Sequence, residues 1–272
     1  MRDRGRVVVK VGTSTLTNEF NRPDLRSFDR LALAVSDLSN RGFEVILVSS
    51  GAIASGTDSL GLEEVPKDLC MKQAAAAVGQ CRNMFIYGKF LGDYGKKAAQ
   101  ILLNAEDIES EEKKENLTNT FNALLSMGII PIVNENDSVS YTEIESEDRL
   151  FGDNDVLSAV VAVLCKADLL VILSDIDGLY DKDPRLYPEA KLIERVEDIA
   201  SVEATASGAG SRRGRGGMIT KLKAASMATA QGIDTVIMNG KKPERLVDVA
   251  EGRPAGTLFV GRKRAGKSAA NG

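Results

Sequence analysis

The feature that most constrains this chain is a regular succession of short apolar runs and longer helical segments. The runs are continuous and rich in Val, Ile and Leu, which is typical of strands covered on both faces of a sheet. The predicted strands are Val7–Val11, Phe43–Ser49, Ala99–Leu103, Ile129–Val133, Leu169–Leu173, Thr235–Met238 and Thr257–Val260. The predicted helices are Phe28–Asn40, Lys67–Tyr94, Glu112–Met127, Asp155–Lys166 and Met218–Gln231. The alternation predicts an α/β fold, a three-layer αβα sandwich with a mostly parallel central sheet.

Local signals mark where several of these elements begin and end. Ser27 is the expected N-cap of the first helix. Three helices pass into the next strand through one glycine, as expected for a left-handed C-cap; these glycines are Gly42, Gly128 and Gly232. Two segments break the alternation. Residues 134–153 are polar and acidic and predict a loop or small hairpin, and residues 201–217 are rich in Gly, Ser, Ala and Arg and predict a mobile loop.

The composition restricts the partners and the location of the chain. A length of 272 residues with 43% apolar composition is enough for one large domain or two joined lobes. With 35 basic and 39 acidic residues the chain has no general electrostatic reason to bind nucleic acid or a membrane. The N-terminus does not resemble a signal peptide, and no apolar stretch reaches the ~20 residues of a membrane span. The three cysteines show no metal-ligand spacing. Together with the N-terminus and the short apolar stretches, they predict a cytoplasmic protein.

The chain contains no histidine. This excludes Ser-His-Asp and Cys-His catalysis and the common zinc sites. The groups that remain for chemistry are Lys, Asp, Asn and Ser side chains, backbone amides and a bound metal ion. Phosphoryl transfer suits that set, because it depends on positioning and charge neutralisation more than on a protein nucleophile.

Polar side chains follow the predicted strands at the edge where open α/β sheets bind ligands. The candidates are Lys10, Ser50, Asn134, Asp137, Asn154, Asp155, Ser174 and Asp175. A further candidate is the run from Arg215 to Lys221, where paired glycines at a predicted helix start favour an anion and Lys221 can reach a phosphate. Each signal also has an ordinary interpretation: a solvated lysine, a tight turn, an Asx turn, or an N-cap at Asp153.

The segment Gly261–Ser268 satisfies the pattern of a P-loop. A P-loop requires a following helix, and the sequence ends four residues after Ser268. We therefore interpret residues 261–272 as a basic, disordered tail that follows one domain at residues 1–260.

The order and sequence of these segments resemble the amino-acid kinase family, and most closely its members that phosphorylate glutamate. The resemblance covers roughly residues 6 to 260. It rests on the runs Val8–Ser14, Val48–Ile53, Ala76–Gln80, Ile130–Val139, Phe151–Asp155, Ser174–Tyr180 and Gly216–Lys221. The Asn-Glu-Asn-Asp run at Asn134–Asp137 and the Gly-Gly-Met-x-Thr-Lys run are the specific ones, whereas Lys-x-Gly at Lys10 is shared across the wider family.

The resemblance implies transfer of the γ-phosphoryl group of ATP to the γ-carboxylate of L-glutamate, the first step toward proline, with Mg²⁺ as cofactor. The catalytic residues it implies are Lys10, Lys221 and Asp155, with Asp155 organising the two lysines. The substrate-binding residues are Ser50, Asp137, Asn154 and Asn134. The nucleotide-binding residues are Lys10, Ser174, Asp175, Arg215, Gly216, Gly217, Met218, Ile219, Thr220 and Lys221. The N-terminal part would form the amino-acid side of the site, and roughly residues 165–260 the nucleotide side.

The resemblance also implies properties that the residues alone do not establish. Arg215 stands where the family usually has Thr, and the match implies a form without the C-terminal PUA domain. A homo-oligomer (dimer or tetramer) assembled through helices that flank the sheet is expected, and proline is a candidate feedback inhibitor. Two alternatives stay open: another activity of the family, on acetylglutamate, aspartate or carbamate, and a non-catalytic sensor of nucleotide or amino acid.

Overall fold

The computed structural model describes residues 4–139, 154–202 and 212–262, and for residues 212–216 it describes the backbone alone. Within these ranges eight strands form one sheet. The strands are β1 Arg6–Val11, β2 Glu44–Ser49, β3 Lys97–Leu103, β4 Ile129–Glu135, β5 Leu169–Ser174, β6 Arg195–Val196, β7 Asp234–Asn239 and β8 Thr257–Phe259. All seven predicted strands are present, and the two-residue strand β6 is additional.

The strands lie in the order β3-β4-β2-β1-β5-β7-β8-β6. Every neighbouring pair is parallel except β7 and β8, which run antiparallel. The prediction of a mostly parallel sheet is therefore confirmed. β1 is central, with Val9 opposite Leu47 of β2 and Val171 of β5. The carboxyl ends of β1, β2, β4 and β5 consequently meet at one edge of the sheet, which is the edge that carries the candidate site.

Helices cover both faces of the sheet. They are α1 Thr13–Leu16, α2 Leu25–Asn40, α3 Ala52–Ser59, α4 Leu69–Asp93, α5 Ala105–Glu109, α6 Glu111–Ser126, α7 Asn154–Leu164, α8 Arg212–Ala230 and α9 Leu246–Ala250, with a 3-10 turn at Pro243–Arg245. Side chains alternate along β1: Val7 and Val9 face one core with α2, α4 and α9, and Val8 faces the other with α6, α7 and α8. This is the predicted αβα sandwich.

The three predicted glycine C-caps are confirmed by positive φ angles of 92° at Gly42, 69° at Gly128 and 83° at Gly232. The predicted N-cap at Ser27 is wrong. The side chain of Asp24 caps α2 by accepting a hydrogen bond from the Arg26 amide. Ser27 lies inside the first turn and donates its hydroxyl to Asp24, so it supports the cap instead of forming it.

Two expectations about loops need correction. β4 runs on to Glu135, because Asn134 and Glu135 pair in register with Leu102 and Leu103 of β3; the polar segment therefore begins inside the sheet. Helix α8 begins at Arg212 and includes the last residues of the predicted mobile loop. Gly216 and Gly217 therefore lie within the first two turns of α8, not at its start as predicted.

Parts of three predictions fall outside the described residues: residues 140–153 of the acidic segment, including Asp153, residues 203–211 of the loop predicted at 201–217, and residues 263–272 of the tail. Across the described ranges, no helix combines the length and the apolarity that crossing a membrane requires.

Candidate active site

Three charged side chains from separate elements meet at the carboxyl edge of the sheet. Lys10 comes from β1, Asp155 from the first turn of α7 and Lys221 from α8. The Lys10 ammonium lies 2.6 Å from one carboxylate oxygen of Asp155, and the Lys221 ammonium lies 3.2 Å from the other. Asp155 is 1% exposed and Lys10 is 5% exposed. A single buried carboxylate therefore holds two ammonium groups beside each other and leaves the group with one net positive charge.

Helix α8 adds neutral partners to this cluster. The hydroxyl of Thr220 donates to the same Asp155 oxygen at 2.9 Å, and Lys221 also donates to the carbonyl of Gly217 at 3.0 Å. The Lys221 ammonium is therefore held by Asp155 on one side and by the Gly217 carbonyl, one turn earlier in α8, on the other.

The protonation state of Asp155 follows from these contacts. Burial by itself would raise the pKa of this carboxyl, but the charges of Lys10 and Lys221, with the hydrogen bonds of Lys10 and Thr220, hold the pKa below its ordinary value. Asp155 is consequently a carboxylate at neutral pH. It can orient the lysines but has no proton to give.

Glycines leave space beside both ammonium groups. A Cβ atom at Gly12 would lie 3.4 Å from the Lys10 ammonium, and one at Gly217 would lie 3.9 Å from the Lys221 ammonium. The turn after β1 and the first turns of α8 thus present backbone and cationic nitrogen without an intervening side chain. Such a cradle suits the oxygens of a phosphate.

Beside the charged cluster lies a set of neutral polar side chains. The Asn154 amide donates to the Ser50 hydroxyl at 2.5 Å and to the Asn134 side-chain oxygen at 3.0 Å. Ser50 follows β2, Asn134 is buried in β4, and Asn154 precedes Asp155 at the start of α7. Because Asn154 and Asp155 are consecutive, this polar set and the lysine cluster share one backbone segment.

Asp137 lies in the turn after β4, three residues beyond Asn134. Burial raises its pKa to about 6. A half-buried carboxylate with a raised pKa gains from the arrival of a cation, because the cation supplies the interaction that water no longer provides.

Ser174 and Asp175 mark the carboxyl end of β5, next to β1. The Ser174 hydroxyl donates to Asp175 at 3.2 Å, and the Asp175 side chain is exposed. They line a cleft of about 140 Å³ that extends to the turn after β1 and to Gly240 and Lys241 after β7. The structure therefore separates the predicted residues into two regions, with the lysine cluster between them.

The remaining predicted residues lie on α8. Met218 is half-buried and packs against the core with α7, and Ile219 is exposed. Arg215 and Gly216 belong to the helical backbone of α8.

Three contacts near the site were not predicted from the sequence. The buried Ser49 hydroxyl, next to Ser50, lies 2.7 Å from the hydroxyl of Tyr87 in α4. Gln80, also in α4, donates to the backbone carbonyl of Glu135 at 3.3 Å. Asn239, the last residue of β7, donates to Asp177 at 2.9 Å. No sequence signal separates Tyr87 from an ordinary core aromatic, whereas Gln80 lies in a run already noted for its resemblance.

Comparison with known proteins bears directly on this geometry. The model of the Amino acid kinase family matches residues 5–239, which include every element of the lysine cluster. The chain belongs to the amino acid kinase family. It is 52% identical over 264 residues to "Glutamate 5-kinase" of Clostridium perfringens (strain 13 / Type A), covering 97% of the chain and 98% of that relative. It is 51% identical to "Glutamate 5-kinase" of Clostridium tetani (strain Massachusetts / E88), covering 95% and 96%.

Solved structures agree on the fold. The UMP kinase from Ureaplasma parvum superposes with a TM-score of 0.64 at 16% identity, covering 96% of this chain and 100% of that one. At that identity the likeness concerns the fold alone.

Proposed function

We propose that this chain transfers the γ-phosphoryl group of ATP to the γ-carboxylate of L-glutamate, giving L-glutamyl 5-phosphate, the first step of proline biosynthesis. The observation that carries the proposal is the pair of lysines held on one buried carboxylate, Lys10 and Lys221 on Asp155. Relatives about 50% identical over nearly the whole chain that are named "Glutamate 5-kinase" support glutamate as the acceptor.

The reaction needs charge neutralisation more than acid–base chemistry. An oxygen of the glutamate γ-carboxylate attacks the γ-phosphorus of ATP, and the bond from that phosphorus to the oxygen of ADP breaks. The attacking carboxylate carries no proton, so no general base is required. Lys10 and Lys221 would contact the oxygens of the transferring group on both sides and stabilise the negative charge that moves toward ADP. Asp155 would position both lysines by its direct contacts with their ammonium groups, without touching the phosphoryl group.

The polar set suits an amino-acid substrate. Ser50 and Asn154 offer hydrogen-bond donors for carboxylate oxygens, and Asn134 orients the Asn154 amide through its side-chain oxygen. Asp137 would face the substrate ammonium, since burial leaves this carboxylate in need of a cation. Ser50, Asn134 and Asp137 come from the β2 and β4 side of the sheet, which would be the amino-acid side.

ATP and Mg²⁺ fit the residues that are present. The open cradle beside Lys10 and Lys221, bordered by Gly12 and Gly217, suits the β- and γ-phosphates. Ser174 and Asp175 at the carboxyl end of β5, together with the α8 run from Arg215 to Lys221, would contact the rest of the nucleotide. Mg²⁺ would enter with the nucleotide and neutralise phosphate charge, and Asp175 is an exposed carboxylate at the strand end able to contact it or its waters.

The first experiment offers Mg-ATP with L-glutamate, N-acetylglutamate, aspartate or carbamate in separate reactions, and traps an acyl phosphate with hydroxylamine. We expect ADP release with L-glutamate and a hydroxamate with L-glutamate alone. A Lys221→Ala variant that is folded should give neither product at a comparable rate. Hydroxamate formed from another acceptor would reassign the substrate, and ATP binding without turnover on any acceptor would favour the non-catalytic sensor.

The proposal also covers inhibition by proline and the cellular location of the enzyme. Proline resembles glutamate in its ammonium and α-carboxylate, the groups for which Asp137, Ser50 and Asn154 are suited, so inhibition by proline should be competitive with glutamate. Initial rates at several concentrations of both amino acids test this, and inhibition that is not relieved by glutamate would contradict it. A cytoplasmic location is included, since ATP and glutamate are both available there.

A further inference from the structure

The run Ala76–Gln80 in α4 takes no part in the proposed reaction, yet it contacts a strand end that carries substrate-binding candidates. The Gln80 side-chain amide donates a hydrogen bond to the backbone carbonyl of Glu135 at 3.3 Å. Glu135 is the last residue of β4 and lies between Asn134 and Asp137 in the sequence. A helix on one face of the sheet therefore holds the strand end beside both candidates.

The Glu135 carbonyl lies where the sheet is open on one side. β2 pairs with β4 only as far as Val48 opposite Val133, so the ladder on that side ends two residues before β4 does. On the other side, the Asn136 amide donates to a carbonyl of β3 at 3.0 Å. Successive residues of a strand direct their backbone groups to opposite neighbours, so the Glu135 carbonyl points to the β2 side. Gln80 supplies the donor that β2 does not provide there.

The polar set lies in the gap between the ends of β2 and β4. The Asn154 amide joins Ser50, which follows β2, to Asn134 of β4 by hydrogen bonds of 2.5 Å and 3.0 Å. Paired strands lie only about 4.8 Å apart, which leaves no room for a side chain from a third element. Asn154 can join the two strands because they diverge at this end. The contact of Gln80 with β4 stabilises the diverged arrangement.

Gln80 extends from a closely packed turn of α4. A Cβ atom at the preceding Gly79 would lie 1.7 Å from the Ala52 carbonyl oxygen of α3. One turn further on, the buried Asn83 side chain accepts a hydrogen bond from the Ser55 hydroxyl of α3 at 2.6 Å. Close packing on both sides leaves this turn little freedom to move. Gln80 is consequently a fixed support for the end of β4.

The turn after β4 carries Asp137 and is held by its own hydrogen bonds. The Asn136 side-chain oxygen accepts from the Ser138 hydroxyl at 2.6 Å, and the Asn136 carbonyl accepts from the Val139 amide at 3.1 Å. Asp137 lies inside this turn, two residues from Glu135. A displacement of the strand end would therefore move the Asp137 carboxylate with it.

We propose that Gln80 is a positioning residue that fixes the distance between Asp137 and the lysine cluster, and thereby sets the chain length of the amino-acid substrate. This role rests on the proposed function. Asp137 would contact the substrate ammonium, while Lys10 and Lys221 would contact the phosphoryl group that the distal carboxylate receives. Glutamate has one methylene more than aspartate, so selecting it requires these two ends of the site to be held a fixed distance apart.

The test compares Gln80→Met, which keeps the size of the side chain and removes its donor, with the wild type. We expect the glutamate KM to rise about five- to tenfold, with kcat and the ATP KM within about twofold, because the lysine cluster is unchanged. The ratio of kcat/KM for glutamate over aspartate should fall several-fold. Gln100→Met is the matched control, since Gln100 is an exposed glutamine of β3, and it should leave all these values unchanged.

A mutant cycle separates positioning from general destabilisation of the fold. In an Asp137→Asn background, Gln80→Met should raise the glutamate KM by less than about twofold, because the carboxylate that Gln80 positions is already absent. Gln80→Asn is a second variant, one methylene too short to reach the Glu135 carbonyl, and should change the KM in the same direction. Circular dichroism and melting temperature establish that each variant is folded.

Hydrogen exchange measured by mass spectrometry tests the support of β4 without any turnover. Gln80→Met should speed exchange in peptides that cover residues 129–139, where the Asn136 amide is bonded to β3. Peptides from β1 and β5 should exchange as in the wild type. Gln100→Met again serves as the control.

Three results would overturn the positioning role. They are a wild-type glutamate KM in folded Gln80→Met, unchanged exchange over residues 129–139, and a full additional effect of Gln80→Met in the Asp137→Asn background. Failure of the proposed function gives a different pattern. A wild-type chain that forms no hydroxamate from L-glutamate, with faster exchange in Gln80→Met, would reject the proposed function and the chain-length role with it, although Gln80 would still support the strand end.

Discussion

Asp155 illustrates how one buried residue can organise a site. A lone carboxylate at 1% exposure would be strongly unfavourable, and two lysines and a threonine compensate it. The arrangement has a consequence for mutagenesis. Removing one lysine changes both the positive charge that we propose for phosphate binding and the charge balance around Asp155, so effects on stability and on turnover must be measured separately.

Lys221 is the better of the two lysines to substitute, because its side chain is less buried than that of Lys10. We expect Lys221→Ala to lower kcat at least about 100-fold, since an ammonium facing the transferring phosphoryl group acts mainly in the transition state. Lys223→Ala is the matched control, an exposed lysine two residues further along α8, and should keep kcat within about twofold. The measurement is kcat of the wild type and both variants from steady-state kinetics with saturating ATP. A Lys221→Ala kcat near the wild-type value would remove this lysine from the proposed mechanism.

The raised pKa of Asp137 leads to a prediction about the pH dependence of the glutamate KM. With a pKa of about 6 it is ionised at pH 7.5 and protonated below pH 6, and only the ionised form attracts the glutamate ammonium. We therefore expect the glutamate KM to rise as pH falls below about 6, approaching tenfold per pH unit. Asp137→Asn should have a raised KM that is nearly constant between pH 5 and 8. A variant that keeps the wild-type pH profile would show that another group causes it.

Ionisation of Asp137 favours glutamate binding, but it should lower the free energy of unfolding of the unliganded protein. The pKa of Asp137 is higher in the folded protein than its ordinary value of 3.8, so the folded state binds the proton more tightly. The unfolding free energy of the unliganded protein should consequently fall as pH rises from about 4 to about 6. Asp137→Asn should be more stable than wild type by about 1–3 kcal/mol at pH 7.5 and equally stable below pH 4. Urea unfolding at the two pH values tests this, and a less stable variant at pH 7.5 would contradict it.

Among the secondary-structure elements, the strands were the easiest to predict from the sequence. β1 and β5 are buried on both faces, so their apolar runs admit few other structures. Short elements were missed because they contain too few residues to show a period: β6 has two residues and α1 has four. The beginning of α8 was misplaced because paired glycines usually interrupt a helix, and here they lie inside one.

The site was predictable where its residues follow strands in sequence. Lys10, Ser50 and Ser174 each come at the end of a buried run, and the parallel sheet brings such ends together. Distances and protonation could not be predicted, since the pairing of Asp155 with lysines from β1 and α8 depends on tertiary packing. Contacts from the inner face of α4 could not be predicted either, because a tyrosine or glutamine on a largely apolar helix carries no local mark of its partner.

The contact between Tyr87 of α4 and Ser49 leads to a prediction about how the neighbouring Ser50 is positioned. Tyr87 contacts the Ser49 hydroxyl, which neighbours Ser50, so Tyr87→Phe should remove the 2.7 Å hydrogen bond of this buried hydroxyl and leave it the Ser50 carbonyl at 3.3 Å. We expect a loss of about 1–2 kcal/mol in unfolding free energy and a glutamate KM raised several-fold with kcat nearly unchanged. Tyr94→Phe is the control, since Tyr94 bonds to Asp29, which lies in α2.

A mutant cycle separates positioning from general destabilisation. If Tyr87 acts through Ser49, then Tyr87→Phe should have little further effect on the glutamate KM in a Ser49→Ala background. Additive effects of the two substitutions would show that Tyr87 influences the site by another route.

On the scale of the whole molecule, α4 joins two segments beside the candidate site to the helical layer of the sandwich. Its inner face contacts Ser49 through Tyr87 and the Glu135 carbonyl through Gln80. Its packing on α3 is tight, because Cβ atoms at Gly56 and Gly79 would lie 1.7 Å from carbonyl oxygens of Ala75 and Ala52. A helix packed this closely transmits a displacement more readily than it absorbs one.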